Sequence, residues 1–318
     1  MYAGTCTIAI QNFLDALKSR FEVEISQRAT WYLQARIHQD SEGNITLDQS
    51  RYARSIIERY LPNAPLETSP EDLITYASPL PSEFKFTADD NSPDTEAVIT
   101  LEREFGFCMI ELAGSLNYLA HTVFEELFAI RKICRFTRLP GRPHFRAALH
   151  LLHHLRCHPP QAIKFYRNPS HSPLTQMLRD IGLSHLDPSS LIYFCDSAFG
   201  DCDGGKSTGC IIGFYRGSPI DFSSFVPDPV AMSSAEAEVN TLTIGIMSAM
   251  HVKMIHQEVT HGDSSRPLTI PFLMDSVAAM LITKNDRGTQ RTRHIERRYL
   301  YCRHAYTRAD ISLHFVEG

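Results

Sequence analysis

Apolar residues recur with two different periods along this chain, and the periods divide it into parts. Ile10, Phe13, Leu14, Leu17 and Phe21 have helical spacing and predict a helix over 10–22. Trp31 to His38 reads as a strand, Asp40 to Asn44 as a turn and Ile45 to Leu47 as a second strand, which together make a hairpin. Arg51 to Leu61 is helical and stops at Pro62. From Pro62 to about Thr95 the chain is rich in Pro, Ser and Asp, which predicts an extended linker or surface excursion. A strongly helical block follows from Leu101 to His158, ended by Pro159 and Pro160. Its expected core stripe comprises Phe105, Ile110, Leu112, Leu116 and Leu119, then Phe128, Ile130, Ile133 and Phe136, then Phe145, Leu149, Leu152 and Leu155. Residues 161–188 are mixed in pattern and predict a second linker. Beyond them the period changes to that of strands, at 190–199, 208–216, 219–225, 268–274 and 311–316, with a long helix over 234–259. Three meander strands, a helix and further strands predict an α/β domain with a mixed sheet.

Three carboxylates stand out in the last part. Asp196 lies in the apolar strand that starts at Leu191, Asp275 ends the apolar strand that starts at Leu268, and Glu238 lies early in the long helix. Acids at strand ends and on a first helix turn can converge in a fold. Clustered carboxylates repel one another and need a cation, and an oxygen-only donor set suits Mg²⁺ or Mn²⁺ and phosphodiester chemistry. Glu236 competes with Glu238 for the place on the helix. Ser233 and Glu236 form a capping box, which gives Glu236 a structural role. Glu238 lies about 200° further round the helix and is free to face the sheet. Alone it would read as a solvated first-turn acid favoured by the helix dipole. Beside Asp196 and Asp275 it reads as a ligand.

Composition narrows the partners. The 318 residues suffice for about two domains. A net charge of −5 excludes a globally basic polyanion binder, so a nucleic acid would need local basic patches. No apolar stretch is long enough to span a bilayer, and the start lacks the pattern of a signal peptide. The 8 cysteines contain no Cys-x-x-Cys pair, which fits reduced thiols inside a cell, in cytoplasm or nucleus.

Three further motifs have two readings each. Gly200 to Ser207 matches the P-loop pattern, but a working P-loop needs a helix to start at Lys206 and Ser207. The β-like, Gly-interrupted run after Ser207 points instead to a turn between strands, and Asp201 and Asp203 would repel phosphate. His150 and His154 have the i, i+4 spacing of a metal pair, with His153 and His158 nearby. Without a Glu to complete a signature, a polar helix face or a backbone-contacting surface is the better reading. Lys284, Arg287, Arg291, Arg293, Arg297, Arg298, Arg303 and Arg308, interleaved with Tyr299, Tyr301 and Tyr306, form either a phosphate-tracking surface or a solvated helix face.

At these residues the chain resembles the pol polyprotein of copia-type LTR retrotransposons, from the end of the reverse transcriptase into the RNase H domain. The words that carry it are Asp196-Ser-Ala-Phe-Gly-Asp201, Lys206-Ser-Thr-Gly, Pro219-Ile-Asp-Phe-Ser-Ser224, Val230-Ala-Met-Ser-Ser-Ala-Glu-Ala-Glu238, Met274-Asp-Ser276 and Arg293-His-Ile-Glu296-Arg-Arg-Tyr299. In the first half Phe13 to Phe21, Trp31 to His38, Leu47 to Tyr52, Pro79 to Pro81 and Leu112 to Leu119 look like distal palm, thumb and connection. The resemblance implies a distal palm, thumb and connection over 1–160, a linker over 161–188 and an RNase H-like domain with a mixed five-stranded sheet over 189–318. It implies cleavage of the RNA strand of an RNA–DNA hybrid by two metal ions, with Asp196, Glu238 and Asp275 as catalytic ligands. Expected nucleic-acid contacts are Lys206, Ser207, Ser233, Ser234, Arg291, Arg293, His294 and Arg297, and other pol fragments are candidate partners. The chain also departs from the family. No Asp-Asp pair precedes the Phe13 helix, so polymerisation is not expected. The fourth RNase H carboxylate should follow the last strand in an Ala-Asp motif; Glu317 and Glu296 are the candidate substitutes, and neither matches it. Val123 to Glu126 replaces Arg-Pro-Asp, Phe222 replaces Trp, and Gln34-Ala35 replaces Leu-Gly. A truncated, diverged copy with impaired cleavage is the expectation, and a non-catalytic nucleic-acid-binding or non-functional remnant is the rival.

Overall fold

A computed structural model describes residues 7–23, 29–63, 68–80, 84, 86–259, 268–284 and 296–317. The first half begins with α1 (Thr7–Lys18) and a small antiparallel sheet of β1 (Trp31–Tyr32), β2 (Ala35–Gln39) and β3 (Ile45–Asp48). The single strand expected over Trp31 to His38 is therefore a tight hairpin. Leu33 and Gln34 adopt φ of 47° and 63°, the left-handed geometry that a two-residue hairpin turn requires. Apolar character alone gave no hint of this reversal. Helix α2 (Ser50–Tyr60) follows and buries Ala53, Ile56 and Tyr60.

The Pro-rich stretch after Pro62 is not wholly extended. It carries α3 (Pro70–Thr75), because Ser69 caps Asp72 while the Asp72 side chain accepts from the Ser69 amide, and Pro70 occupies the first turn, where its missing N–H is harmless. The helical block then comprises α4 (Thr95–Phe105), α5 (Met109–Leu119), α6 (Leu127–Cys134) and α7 (Arg142–Cys157). Asp94 caps the first, and Gly106, at φ 80°, ends it. Most of the expected stripe is core, including Leu112, Leu116, Leu119, Ile130, Ile133, Phe145, Leu152 and Leu155. Ile110 and Phe128 are not: they are 64% and 40% exposed.

Residues 161–188 also carry structure. β4 (Ile163–Phe165) pairs antiparallel with β3 and extends the small sheet, and α8 (Pro173–Asp180) is capped by Ser172. Leu174 and Leu178 of α8 are buried against Ile192 and Leu273. A three-residue strand and a two-turn helix are too short to show a period, which is why the stretch reads as irregular.

The last part has the predicted order of elements. β5 (Leu191–Ala198), β6 (Thr208–Tyr215) and β7 (Ser218–Phe225) form a meander, followed by α9 (Ser234–Val259), β8 (Ile270–Met274), α10 (Val277–Lys284), α11 (Glu296–Thr307) and β9 (Ile311–Phe315). The sheet order is β7-β6-β5-β8-β9, antiparallel across the meander and parallel from β5 through β8 to β9. This is a mixed five-stranded sheet. All five residues of β8 are buried, as expected of a strand with parallel neighbours and both faces covered. One face packs on α9, α10 and α11 through Tyr193, Ile211, Val239, Leu242, Ile246 and Phe272. The other carries α8 beneath β5 and β8, and the helical block beneath β7, where Phe222 joins the helical core. Gly213 lets the sheet close over Tyr193: a Cβ there would sit 2.4 Å from the tyrosine ring.

Candidate metal centre

Strand order brings the acids together. β5 and β8 are parallel neighbours, so their C-terminal ends, with Asp196 and Asp275, lie side by side. α9 crosses the sheet with its first turns at the same end. Glu236 and Glu238 separate as their positions predict. The Ser233 hydroxyl accepts from the Glu236 amide at 3.2 Å, and the Glu236 carboxylate accepts from the Met232 amide at 2.7 Å, closing the helix start. Glu238 faces the sheet instead and is 5% exposed.

Asp196, Glu238 and Asp275 each present a carboxylate oxygen within 4.8 Å of the others. At this distance two full charges repel by about 3–4 kcal/mol at an effective dielectric near 20. Something positive must offset that, either a proton or a cation. The structure holds Glu238 for one or the other. Its Oε1 accepts from the Ser197 hydroxyl at 2.6 Å and the Ser197 amide at 3.1 Å, while its Oε2 is buried with no hydrogen-bond partner. Burial raises the Glu238 pKa most, the Ser197 hydroxyl pulls it back, and the Asp196 and Asp275 charges raise it again, to a net value of about 7. An acceptor-only atom, buried beside two exposed acids, fits a hard divalent cation. Beneath the site, burial and then the Glu238 charge push the Cys195 thiol well above its usual range, so it stays neutral.

Ser197 was not singled out from the sequence. It lies on the same side of β5 as Tyr193 and Cys195, four and two residues away, and that side faces α9. Period-two alternation after Asp196 was the available signal.

The other expected residues fall variously. Ser233 and Ser234 are exposed at the start of α9, and Arg297 is exposed on α11. Lys206 is half-buried in the β5–β6 loop. Ser207 is buried, and its hydroxyl accepts from the Gly200 amide, so it shapes that loop. Strand β6 starts at Thr208, so no helix follows Lys206 and Ser207, and the P-loop pattern is a strand connection. Arg291, Arg293 and His294 lie outside the described residues, as does the side chain of Glu296. Glu317 is exposed just past β9, whose Phe315 is in register with Met274, and it does not join the carboxylate cluster. Of the basic run, Arg298 donates to Asn240 and Arg308 pairs with Asp310. Two of the named α7 histidines contact backbone: His150 Nε2 lies 2.9 Å from the Ser78 carbonyl and His154 Nδ1 2.6 Å from that of Tyr76, while His154 Nε2 meets buried Glu126 at 3.0 Å. Among the described residues, only the three acids form a group of metal-ligating side chains.

No family model matches the chain. It is 23% identical over 310 residues to the retrovirus-related Pol polyprotein from transposon RE2 of Arabidopsis thaliana, covering 95% of this chain. The chain resembles a segment of a retrotransposon Pol polyprotein. It spans 18% of that relative's length. Among solved structures, LC11-RNase H1, isolated from compost, is 13% identical, with 41% of this chain and 85% of that chain covered and a TM-score of 0.31. RNase H1 from the halophilic archaeon Halobacterium salinarum NRC-1 is 14% identical, with 40% and 86% covered and a TM-score of 0.29. A foamy viral protease-reverse transcriptase, solved in complex with RNA/DNA hybrid, is 13% identical, with 70% and 27% covered and a TM-score of 0.36. No helix among the described residues is long and apolar enough to cross a membrane.

Proposed function

We propose that residues 189–318 form an RNase H-like domain that cleaves the RNA strand of RNA–DNA hybrids with divalent metal, and that residues 1–160 are distal palm, thumb and connection of a reverse transcriptase, joined to it through the linker 161–188. The observation that carries this reading is the convergence of Asp196, Glu238 and Asp275 within 4.8 Å at one end of a mixed sheet. The Pol similarity along the chain supports it. Asp196 and Asp275, exposed and on adjacent strand ends, would hold Mg²⁺ or Mn²⁺ from the solvent side, and the orphaned Oε2 of Glu238 would complete the donor set from below. A bound divalent ion would supply an activated water and charge stabilisation for phosphodiester hydrolysis. The chain's own part is rigid placement. Ser197 fixes one Glu238 oxygen through two hydrogen bonds and leaves the other for the ion.

The test is cleavage of a labelled RNA–DNA hybrid with Mg²⁺ or Mn²⁺, by the wild type and by Asp275→Asn. Metal-dependent cleavage that the variant loses by at least about a hundredfold is expected, on the scale of a removed catalytic charge. No cleavage by the wild type, or equal cleavage by both, would favour the rival reading of a non-catalytic remnant.

A further inference from the structure

A second basic cluster lies on α6, apart from the basic run that begins at Lys284. α6 buries Leu127, Ala129, Ile130 and Ile133 in the helical core. Its opposite side carries Phe128, Arg131 and Lys132, followed by Arg135 just past its end, three, four and seven residues from Phe128 and so on one face. This face stands against the β6–β7 edge. Between them is a cleft of about 220 Å³, lined by these four side chains and by Thr208 and Ser224 among others. Its cations have uncharged partners. Arg131 donates to the Asn117 amide oxygen, Lys132 lies 5.2 Å from the Phe128 ring centroid, and Arg135 donates to the Cys202 sulfur. Among the described residues none of the three pairs with a carboxylate. The carboxylate nearest in the hydrogen-bond network, Asp201, accepts from both the amide and the hydroxyl of Thr208.

The cleft is aligned with the carboxylates. Asp196, Cys210 and Ser224 occupy one cross-strand row of β5, β6 and β7. Residues in such a row share a face of the sheet, and two strand spacings put Ser224 about 10 Å from Asp196. That face, through Phe222, is the one the helical block covers. Arg135 is also tied to the loop of Lys206, because the Cys202 amide donates to the Lys206 carbonyl.

We propose that this cleft is a phosphate-binding site for the nucleic-acid backbone whose RNA strand lies at the carboxylates, with Arg131, Lys132 and Arg135 as its contacts; this rests on the function proposed above. A solvated helix face would explain cations without a carboxylate partner. It would not explain their convergence, with hydroxyl-bearing residues and two aromatic rings, on a cleft in the row of Asp196. With a net charge of −5, a polyanion needs such a local site.

The test uses the full chain in EDTA, so that no cleavage occurs, and reads the affinity for a labelled RNA–DNA hybrid by fluorescence anisotropy across a salt series. The triple variant Arg131→Gln, Lys132→Gln, Arg135→Gln should bind at least about tenfold more weakly at low salt, and its log K against log salt slope should be shallower by about 2. A control that removes three exposed arginines elsewhere, Arg54→Gln, Arg103→Gln, Arg179→Gln, should keep the wild-type slope. The single variant Lys132→Glu reads the same site should the triple fail to fold. Equal loss in cleft and control variants, or an unchanged slope in the cleft variants, overturns the proposal. Binding of inorganic phosphate that the cleft variants lose, with the hybrid salt slope unchanged, would also overturn it, reassigning the cleft to a small anion. Binding is read in EDTA and cleavage with metal, so absence of cleavage with the salt slope intact, and loss of the salt slope, separate the two readings.

Discussion

Glu238→Gln should stabilise the metal-free protein at alkaline pH, although it removes a residue of the proposed site. The Glu238 carboxyl, ordinarily near 4.5, is raised to about 7 by burial and by its two acidic neighbours. The unfolded chain gives up this proton more readily than the folded one. Between 4.5 and about 7 the folded state therefore holds more protons, and stability falls as pH rises through that window. The gap corresponds to about 3 kcal/mol at pH 8 and to under about 1 kcal/mol at pH 5. Gln keeps an oxygen for the two Ser197 hydrogen bonds and carries no charge to repel Asp196 and Asp275. The assay is urea unfolding in EDTA at pH 5 and pH 8. The variant should be the more stable at pH 8 by up to about 3 kcal/mol, and close to the wild type at pH 5. Saturating Mn²⁺ should shift the balance: a ligand at a hundred times its Kd adds about 2.7 kcal/mol to the protein that binds it, which the variant forgoes. A variant less stable than the wild type at pH 8 without metal, or a difference that is the same at both pH values, would refute the electrostatic account of the site.

Ser197→Ala removes the 2.6 Å hydrogen bond that orients Glu238, and should raise the Mn²⁺ concentration for half-maximal cleavage by about 10–100-fold, with Ser197→Thr restoring part of it. Gly213→Ala places a methyl group 2.4 Å from the Tyr193 ring and should destabilise the domain by about 1–3 kcal/mol or more in urea melts. In the helical half, burial lowers the His154 pKa, but the hydrogen bonds to Glu126 and the Tyr76 carbonyl outweigh it and the net shift is upward. The stability this pair contributes is full below the ordinary histidine value of 6.5 and fades as pH rises through the raised value. Glu126→Ala should remove that pH dependence and destabilise by about 3–5 kcal/mol at pH 6, the range for breaking a buried pair.

Much of the last domain was legible in the chain because its elements are long and its signals local. A 26-residue helix and eight-residue strands repeat their periods enough times to be read, and the turn residues between them punctuate the order. The choice of Glu238 over Glu236 was also local, since the capping box lies within four residues of the helix start. Short elements escaped for the converse reason. β4 gains its hydrogen bonds from β3, more than a hundred residues earlier, and the turn at Leu33 and Gln34 carries neither Gly nor Asn to announce it.

By itself, then, the sequence determined which acids to suspect and the order of strands and helices that would carry them. It could not supply distances. The parallel pairing of β5 with β8 put Asp196 beside Asp275, and the crossing of α9 buried Glu238 beneath them and left its Oε2 without a partner. Phe128 shows the same limit from the other direction. Its place in an apolar stripe predicted core, but α6 turns it outward to the cleft with Arg131, Lys132 and Arg135. Period identifies the faces of a helix. Which face meets core, and which meets the edge of a sheet ninety residues away, depends on packing between elements that no local pattern encodes.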